Sequence, residues 1–192
     1  MEGAVSDDDQ DAELVERARR GDAEAFGALV TRHQRLLTSV ASGLLNDKGR
    51  TEDVVQEAIL SAWKSFDGYR GEAQFKNWLC RIVVNKVYSA LRWGRFRSWL
   101  SLDSASGAAA AAAVIDDSAD ADPERLSLQE ERSDAIRRAV ASLPLQQKTA
   151  VLLRANGLGV AEVAEAMGVA EGTVKAHLHQ ARARLDGVLV DR

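Results

Sequence analysis

One cysteine and two prolines in 192 residues, with aromatic side chains at 5%, already close off several classes of protein. A lone thiol, Cys80, builds no disulfide framework, and no Cys/His cluster has metal-ligand spacing. His177 and His179 stand two apart, which puts them on different faces of a helix, so neither a metal nor any other cofactor is expected. Alanine, leucine, arginine and glutamate dominate the periodic stretches, which favours helices. No apolar run approaches the ~20 residues that cross a bilayer, so no membrane insertion is expected. The N-terminus, MEGAVSDDDQDAEL, is acidic where a signal peptide would be basic, and the expected location is the cytoplasm. Nothing looks like a nucleotide-hydrolysing loop or a nucleophile–base pair, so the chain is not read as an enzyme.

What the sequence does have is segregated charge. The net charge of −4 argues against nucleic acid, but the distribution argues for it. Acids crowd the first residues and the stretch Asp116 to Glu124. Between Glu72 and Asp103 there is none, while Lys76, Arg81, Lys86, Arg92, Arg95 and Arg97 occur there. Between Asp134 and Glu162 there is again none, with Arg137, Arg138, Lys148 and Arg154. Basic zones of this kind supply the phosphate attraction that dominates non-specific nucleic-acid affinity.

The apolar spacing predicts an all-α protein of two small helical domains joined by a flexible linker. A short helix over Asp11 to Arg19 precedes one carrying Phe26, Leu29, Val30, Leu36, Leu37, Val40, Leu44 and Leu45 at helical period. Asn46 to Gly49 reads as a stop, and Thr51 as the N-cap of a second helix marked by Val54, Val55, Ala58, Ile59, Ala62, Trp63 and Phe66. A loop over Asp67 to Gly71 leads to a third helix from about Gln74 to Arg95, with Phe75, Trp78, Leu79, Ile82 and Val83 on its buried face. Ser101 to Asp122 has few large apolar residues and reads as a flexible acidic tether. Helical signal resumes at Pro123 and runs to Ser142, and Pro144 opens a further helix to about Asn156.

The run Val160 to Leu185 reads as a helix-turn-helix. Val163 and Met167 are buried by its first helix, Ala164 lets the second cross closely, Gly168 makes the left-handed turn and Val169 fills the angle. Val174, Leu178, Ala181 and Leu185 form the buried stripe of the second helix. Its other face shows Thr173, Lys175, Ala176, His177, Gln180, Arg182 and Arg184. Thr, Gln and His side chains reach base edges, and Lys and Arg hold phosphates. A plain helical hairpin would not need a face so poor in acids: after Glu171 the next is Asp186.

The third helix carries a second stripe: Trp78, Arg81, Asn85, Tyr88 and Arg92, spaced i, i+3, i+7, i+10, i+14. Rings alternating with cations and an amide suit unstacked bases on a single strand, although Trp78 also borders the core face. Asp53, Gln56 and Glu57 on the second helix read as an ordinary solvated face on the residues alone.

Glu52-Asp-Val-Val-Gln-Glu57, Trp63, Phe66 to Leu79 and Arg81-Ile-Val-Val-Asn85 resemble region 2 of extracytoplasmic-function sigma factors. Leu143-Pro144, Gly172-Thr-Val-Lys175 and Ala181 to Leu185 resemble region 4 of the same family. The resemblance implies four segments: an acidic extension over 1–10, region 2 over 11–97, a linker over 98–123 that threads toward the RNA exit path, and region 4 over 124–192. It implies that Asp53, Gln56 and Glu57 bind the clamp helices of the largest subunit of core RNA polymerase, with the polymerase flap as a further partner. Asp67, Tyr69, Arg70 and the stripe Trp78, Arg81, Asn85, Tyr88 and Arg92 would meet the −10 element of promoter DNA. Thr173, Lys175, Ala176, His177 and Gln180 would face the −35 element, with Arg182 and Arg184 beside them. An anti-sigma factor is a further partner the resemblance implies. The chain departs from the family at Ala176 and His177, where Ser and Arg are common. The rival reading is a dimeric helix-turn-helix regulator that works without polymerase. A basic stripe where a dimer seam should be apolar speaks against it.

Overall fold

The structure is a computed structural model that describes the backbone of residues 7–100 and 135–190 and the side chains of 11–94 and 135–186. Helices α1 (Asp7–Arg19), α2 (Ala23–Leu45), α3 (Lys48–Ser65) and α4 (Phe75–Leu100) form the N-terminal lobe. A single 3-10 turn, Phe66–Gly68, follows α3. The C-terminal lobe holds α5, described over 135–141, then α6 (Leu145–Ala155), α7 (Val160–Met167) and α8 (Glu171–Val190). Among the described residues there is no strand.

Local chemistry sets the helix ends. Asp22 caps α2, its carboxylate accepting from the backbone N–H of Glu24 and Ala25 at 3.0 Å each, while Arg17 of α1 holds its other oxygen at 2.8 Å. Asn46 ends α2 in the left-handed conformation, φ 52°. Thr51 is not the cap expected for α3. Asp47 takes that place, accepting from the Arg50 N–H, and Thr51 sits buried inside the first turn with its hydroxyl on the Asp47 carbonyl.

In the N-terminal lobe, α2 and α4 form the spine. Leu29, Leu37, Leu79, Val83 and Val87 are fully enclosed, each stabilising the fold by roughly 1.5–3 kcal/mol. The carboxylate of Asp11 ties α1 to α2, receiving Arg32 at 2.8 Å and lying 2.7 Å from His33 Nε2. Phe26, Phe66, Tyr69, Phe75 and Trp78 pack together at the end of the lobe where α3 turns into α4, Phe66 stacked on Tyr69 and the other pairs edge to face or tilted.

The structure departs from the sequence reading at two boundaries. Helix α1 starts at Asp7, inside the expected extension, and α4 runs on to Leu100, three residues into the expected linker. The rest of that linker, and the helix expected from Pro123, lie outside the described residues up to 134.

The two lobes are packed on one another. α7 lies along α4, α6 lies against α2, and one buried apolar cluster runs without a break from Phe26 and Val83 to Val163 and Val174.

Candidate nucleic-acid interface

The helix-turn-helix is built as the sequence suggests. Gly159 starts α7, and the Glu162 carboxylate accepts its backbone N–H. Gly168 turns the chain with φ +68°, a conformation a β-carbon would strain. Val163, Val174 and Ala181 are fully buried, Ala164 and Ala166 nearly so, and Met167, Val169, Leu178 and Leu185 are half-buried. That packing fixes the roll of α8 and leaves Thr173, Lys175, Ala176, Gln180, Arg182 and Arg184 exposed, with His177 half-exposed. Lys175 and Arg182 have only loose intrahelical partners, Glu171 and Asp186, each at 3.7 Å. Exposed pairs of this length hold a side chain weakly, so both cations are free to turn to phosphate. Gln180 is the exception on this face, since its side-chain oxygen accepts from Gln147 of α6 at 2.9 Å.

The α4 stripe is less uniform. Arg81, Asn85 and Arg92 are exposed. Trp78 is half-buried, 5.0 Å from the Tyr69 ring and 5.6 Å from Phe75. Two residues expected to meet DNA do not present their rings in this arrangement. Tyr69 is only 8% exposed, with its hydroxyl donating to the Ala73 carbonyl at 2.6 Å. It staples the loop between α3 and α4 rather than projecting from it, and Arg19 of α1 grips its carbonyl at 2.9 Å. Tyr88 donates to Thr149 Oγ1 of α6 at 2.9 Å, and burial pushes its phenol pKa up. Asp67 and Arg70 on the same loop are exposed.

On α3, Asp53, Gln56 and Glu57 share an exposed face, Glu57 lying 3.8 Å from Lys86 of α4. Leu60 and Trp63 continue that helix surface with 60% and 43% exposure, Trp63 resting one edge on Phe26 at 4.9 Å. Periodicity could place Trp63 on the helix but not show that half of it faces solvent.

Sequence reasoning missed the polar groups between the lobes. Asn77, 1% exposed, donates to Glu165 Oε2 at 2.8 Å, and Lys76 pairs with Glu162 at 2.8 Å. Burial pushes the Glu162 carboxyl up, but the Lys76 and Gly159 hydrogen bonds outweigh it and hold its pKa below the usual value. The buried Lys148 ammonium donates to the Leu44 carbonyl at 3.3 Å, and desolvation lowers its pKa. Cys80 is enclosed and its thiol is pushed up to about 12 by burial, so it stays protonated and inert.

An exposed, nearly acid-free second helix on a packed helix-turn-helix, beside a lobe with a basic and aromatic helix, defines an all-helical, two-lobed DNA-binding protein. Residues 29–97 match the family description "Sigma-70 region 2", and residues 133–185 match "Sigma-70, region 4". The chain is 36% identical over 180 residues to the ECF RNA polymerase sigma-E factor of Escherichia coli, covering 92% of each. It is 32% identical over 185 residues to the RNA polymerase sigma-H factor of Pseudomonas aeruginosa, covering 94% of each. A solved structure of the sigma factor RpoE with the anti-sigma factor NepR from Bartonella quintana superposes with a TM-score of 0.66 at 28% identity. The match covers 87% of this chain and 98% of that one. CnrH, solved with the cytosolic domain of CnrY, shares the fold at a TM-score of 0.69 and 24% identity, covering 95% and 99%. The chain belongs to the extracytoplasmic-function sigma factors of RNA polymerase. Its function is therefore that of a sigma factor in transcription initiation, and no described helix is long and apolar enough to cross a membrane.

Proposed function

We propose that α8 reads the −35 element through Thr173, Lys175, Ala176, His177 and Gln180, with Arg182 and Arg184 on the flanking phosphates. The observation that carries this is the exposed face of α8, free of acids from Gly172 to Leu185. For Gln180 to reach a base it must let go of Gln147, which costs about one neutral hydrogen bond, ~1 kcal/mol. Arg81, Asn85 and Arg92, with Asp67 and Arg70, meet the −10 element, and the exposed Asp53, Gln56 and Glu57 face takes the clamp helices of core polymerase. The flap contacts the C-terminal lobe, an anti-sigma factor is a regulatory partner, the protein works in the cytoplasm and it catalyses no reaction itself.

Run-off transcription with core polymerase, this protein and a promoter library tests the reading. Transcripts that depend on the added chain are expected, and their start sites report both elements. No transcript and no co-elution with core, with a retarded band on duplex DNA alone, would instead identify a polymerase-independent regulator.

Two substitutions test the placements. Arg182→Ala is expected to weaken duplex binding across all sequences and to reduce the slope of log affinity against log salt by about 1, as loss of one phosphate contact requires. An unchanged slope removes Arg182 from the phosphate contacts. Asn85→Ala is expected to leave polymerase co-elution intact while lowering permanganate reactivity of melted promoter thymines. Reactivity equal to that of the unsubstituted protein would show that Asn85 does not hold the opened strand.

A further inference from the structure

The loop that carries Asp67 and Arg70 leaves the 3-10 turn at Tyr69 and has no regular structure before α4 begins at Phe75. Gly71 stands in it at φ +77°. A free chain of this kind samples many conformations, and fixing one only at the moment of binding weakens a complex. Both ends of this loop are held in advance by other helices. Arg19, in the last turn of α1, donates through Nη2 to the Tyr69 carbonyl at 2.9 Å, and its guanidinium carbon lies 5.7 Å from the Tyr69 ring centre. A β-carbon on Gly71 would lie 3.4 Å from the same nitrogen, so the guanidinium lies against the loop at both residues. Its other arm is fixed by Glu16 at 2.8 Å. α1 is tied down in turn by Asp11, which takes Arg32 and His33 of α2, and the His33 ring lies 6.0 Å from Phe75. Tyr69 is buried in extended backbone and the next residue, Arg70, is exposed, the alternation such backbone gives. Arg19 therefore grips the backbone of the loop and leaves its exposed side chains free.

We propose that Arg19 is a positioning residue for the −10 element: it holds the backbone at Tyr69 so that Asp67 and Arg70 are set for an unpaired base before the strand arrives. It acts through the loop and touches no DNA. This rests on the reading of that loop as part of the −10 surface. Arginine suits the task because its rigid fork bonds two partners at fixed angles, and a charged donor makes a stronger hydrogen bond than a neutral one.

The test uses the full chain with core polymerase and a promoter returned by the run-off library, set against the same promoter with one −10 base changed. The ratio of transcripts measures base discrimination, and hydrogen exchange measures protection of the amides over 69–74. Anisotropy with a labelled −10 single strand adds the slope of log affinity against log salt. Far-UV circular dichroism confirms that each variant retains its helices. Arg19→Met removes the donors and keeps an apolar stem. It is expected to speed loop exchange and to lower discrimination by about tenfold each, the second being the scale of one base pair's contribution. Exchange around Leu29 and Leu37 and co-elution with core should not change. Arg19→Lys keeps a donor for the Tyr69 carbonyl and should recover at least about half of each loss on a logarithmic scale.

Unchanged loop exchange in Arg19→Met overturns the brace, and so does a lysine variant no better than methionine on both readouts. A loosened loop with unchanged discrimination overturns it too, where Asp67→Ala or Arg70→Ala does lower discrimination. If neither of those lowers it, or the library returns no promoter, the reading of the loop as a −10 surface is wrong and the brace falls with it. Equal loss on both promoters, with the single-strand salt slope reduced by about 0.7, would make Arg19 a phosphate contact and not a brace.

Discussion

Phe66→Ala is expected to destabilise the N-terminal lobe by about 3–5 kcal/mol, a large part of the roughly 5–15 kcal/mol that holds a domain folded. Phe66 is 3% exposed and stands where α3 ends in the 3-10 turn. Its ring centroid lies 5.3 Å from Phe26, 6.0 Å from Tyr69, 6.1 Å from Trp78 and 6.2 Å from Phe75. Truncation removes the shared partner of four rings at once, and helices on three sides cannot all close on the gap. Urea denaturation followed by tryptophan fluorescence measures the loss. A shift below about 1 kcal/mol would mean that the cluster collapses around the cavity. The functional consequence follows from Tyr69, which leans on Phe66 and staples the loop that presents Asp67 and Arg70. Phe66→Leu keeps most of the volume, and its stability loss should be under half that of the alanine variant.

Much of this fold could be read from periodicity because the helices are long and one-sided. On α2 the expected stripe from Phe26 to Leu45 is buried apart from Leu36, which is half-buried. The helix-turn-helix was legible because its three signals are local: small residues at the crossing, glycine at the turn, and a stripe at i, i+4, i+7, i+11. Thr51 was misread for a local reason as well. Asp47 and Thr51 both suit an N-cap, and the carboxylate four residues earlier starts the helix first, leaving Thr51 to bond back to the Asp47 carbonyl.

The illegible parts are long-range and polar. Asn77 lies 88 residues from Glu165, Tyr88 lies 61 from Thr149, and Lys148 lies 104 from Leu44. Hydrophobic period says which face of α4 is core, but it does not distinguish a polar residue facing solvent from one facing another lobe. His33 is the same case within one lobe: it sits on the apolar stripe of α2 because Asp11, 22 residues earlier, meets it there. The aromatic stripe was also ambiguous in kind, since a ring beside a cation serves equally as a base platform or as the wall of a cluster. The structure resolves Trp78 partly toward the second, with Tyr69 and Phe75 against it.

Leu153→Ala is expected to destabilise the C-terminal lobe by about 2–5 kcal/mol, and with it duplex reading. Leu153 has no exposed surface and lies on α6, the helix that braces α8 from behind. The lobe is small, so its core has few side chains to share the loss, and the margin of a domain this size is narrow. α8 packs against both α6 and α7. Its roll comes from Val174 and Ala181 seating on α6 and α7, and Gln147 on α6 also steadies Gln180. A loosened α6 therefore lets α8 turn, and side chains spaced to meet successive base edges no longer meet them together. Hydrogen exchange of α8 amides should rise steeply in the variant, while the amides around Leu29 and Leu37 in α2 keep most of their protection. Equal loss of protection in α2 would show that the continuous apolar cluster makes the two lobes one cooperative unit. Exchange and duplex affinity both unchanged would mean that Leu153 fills space without orienting the reading helix.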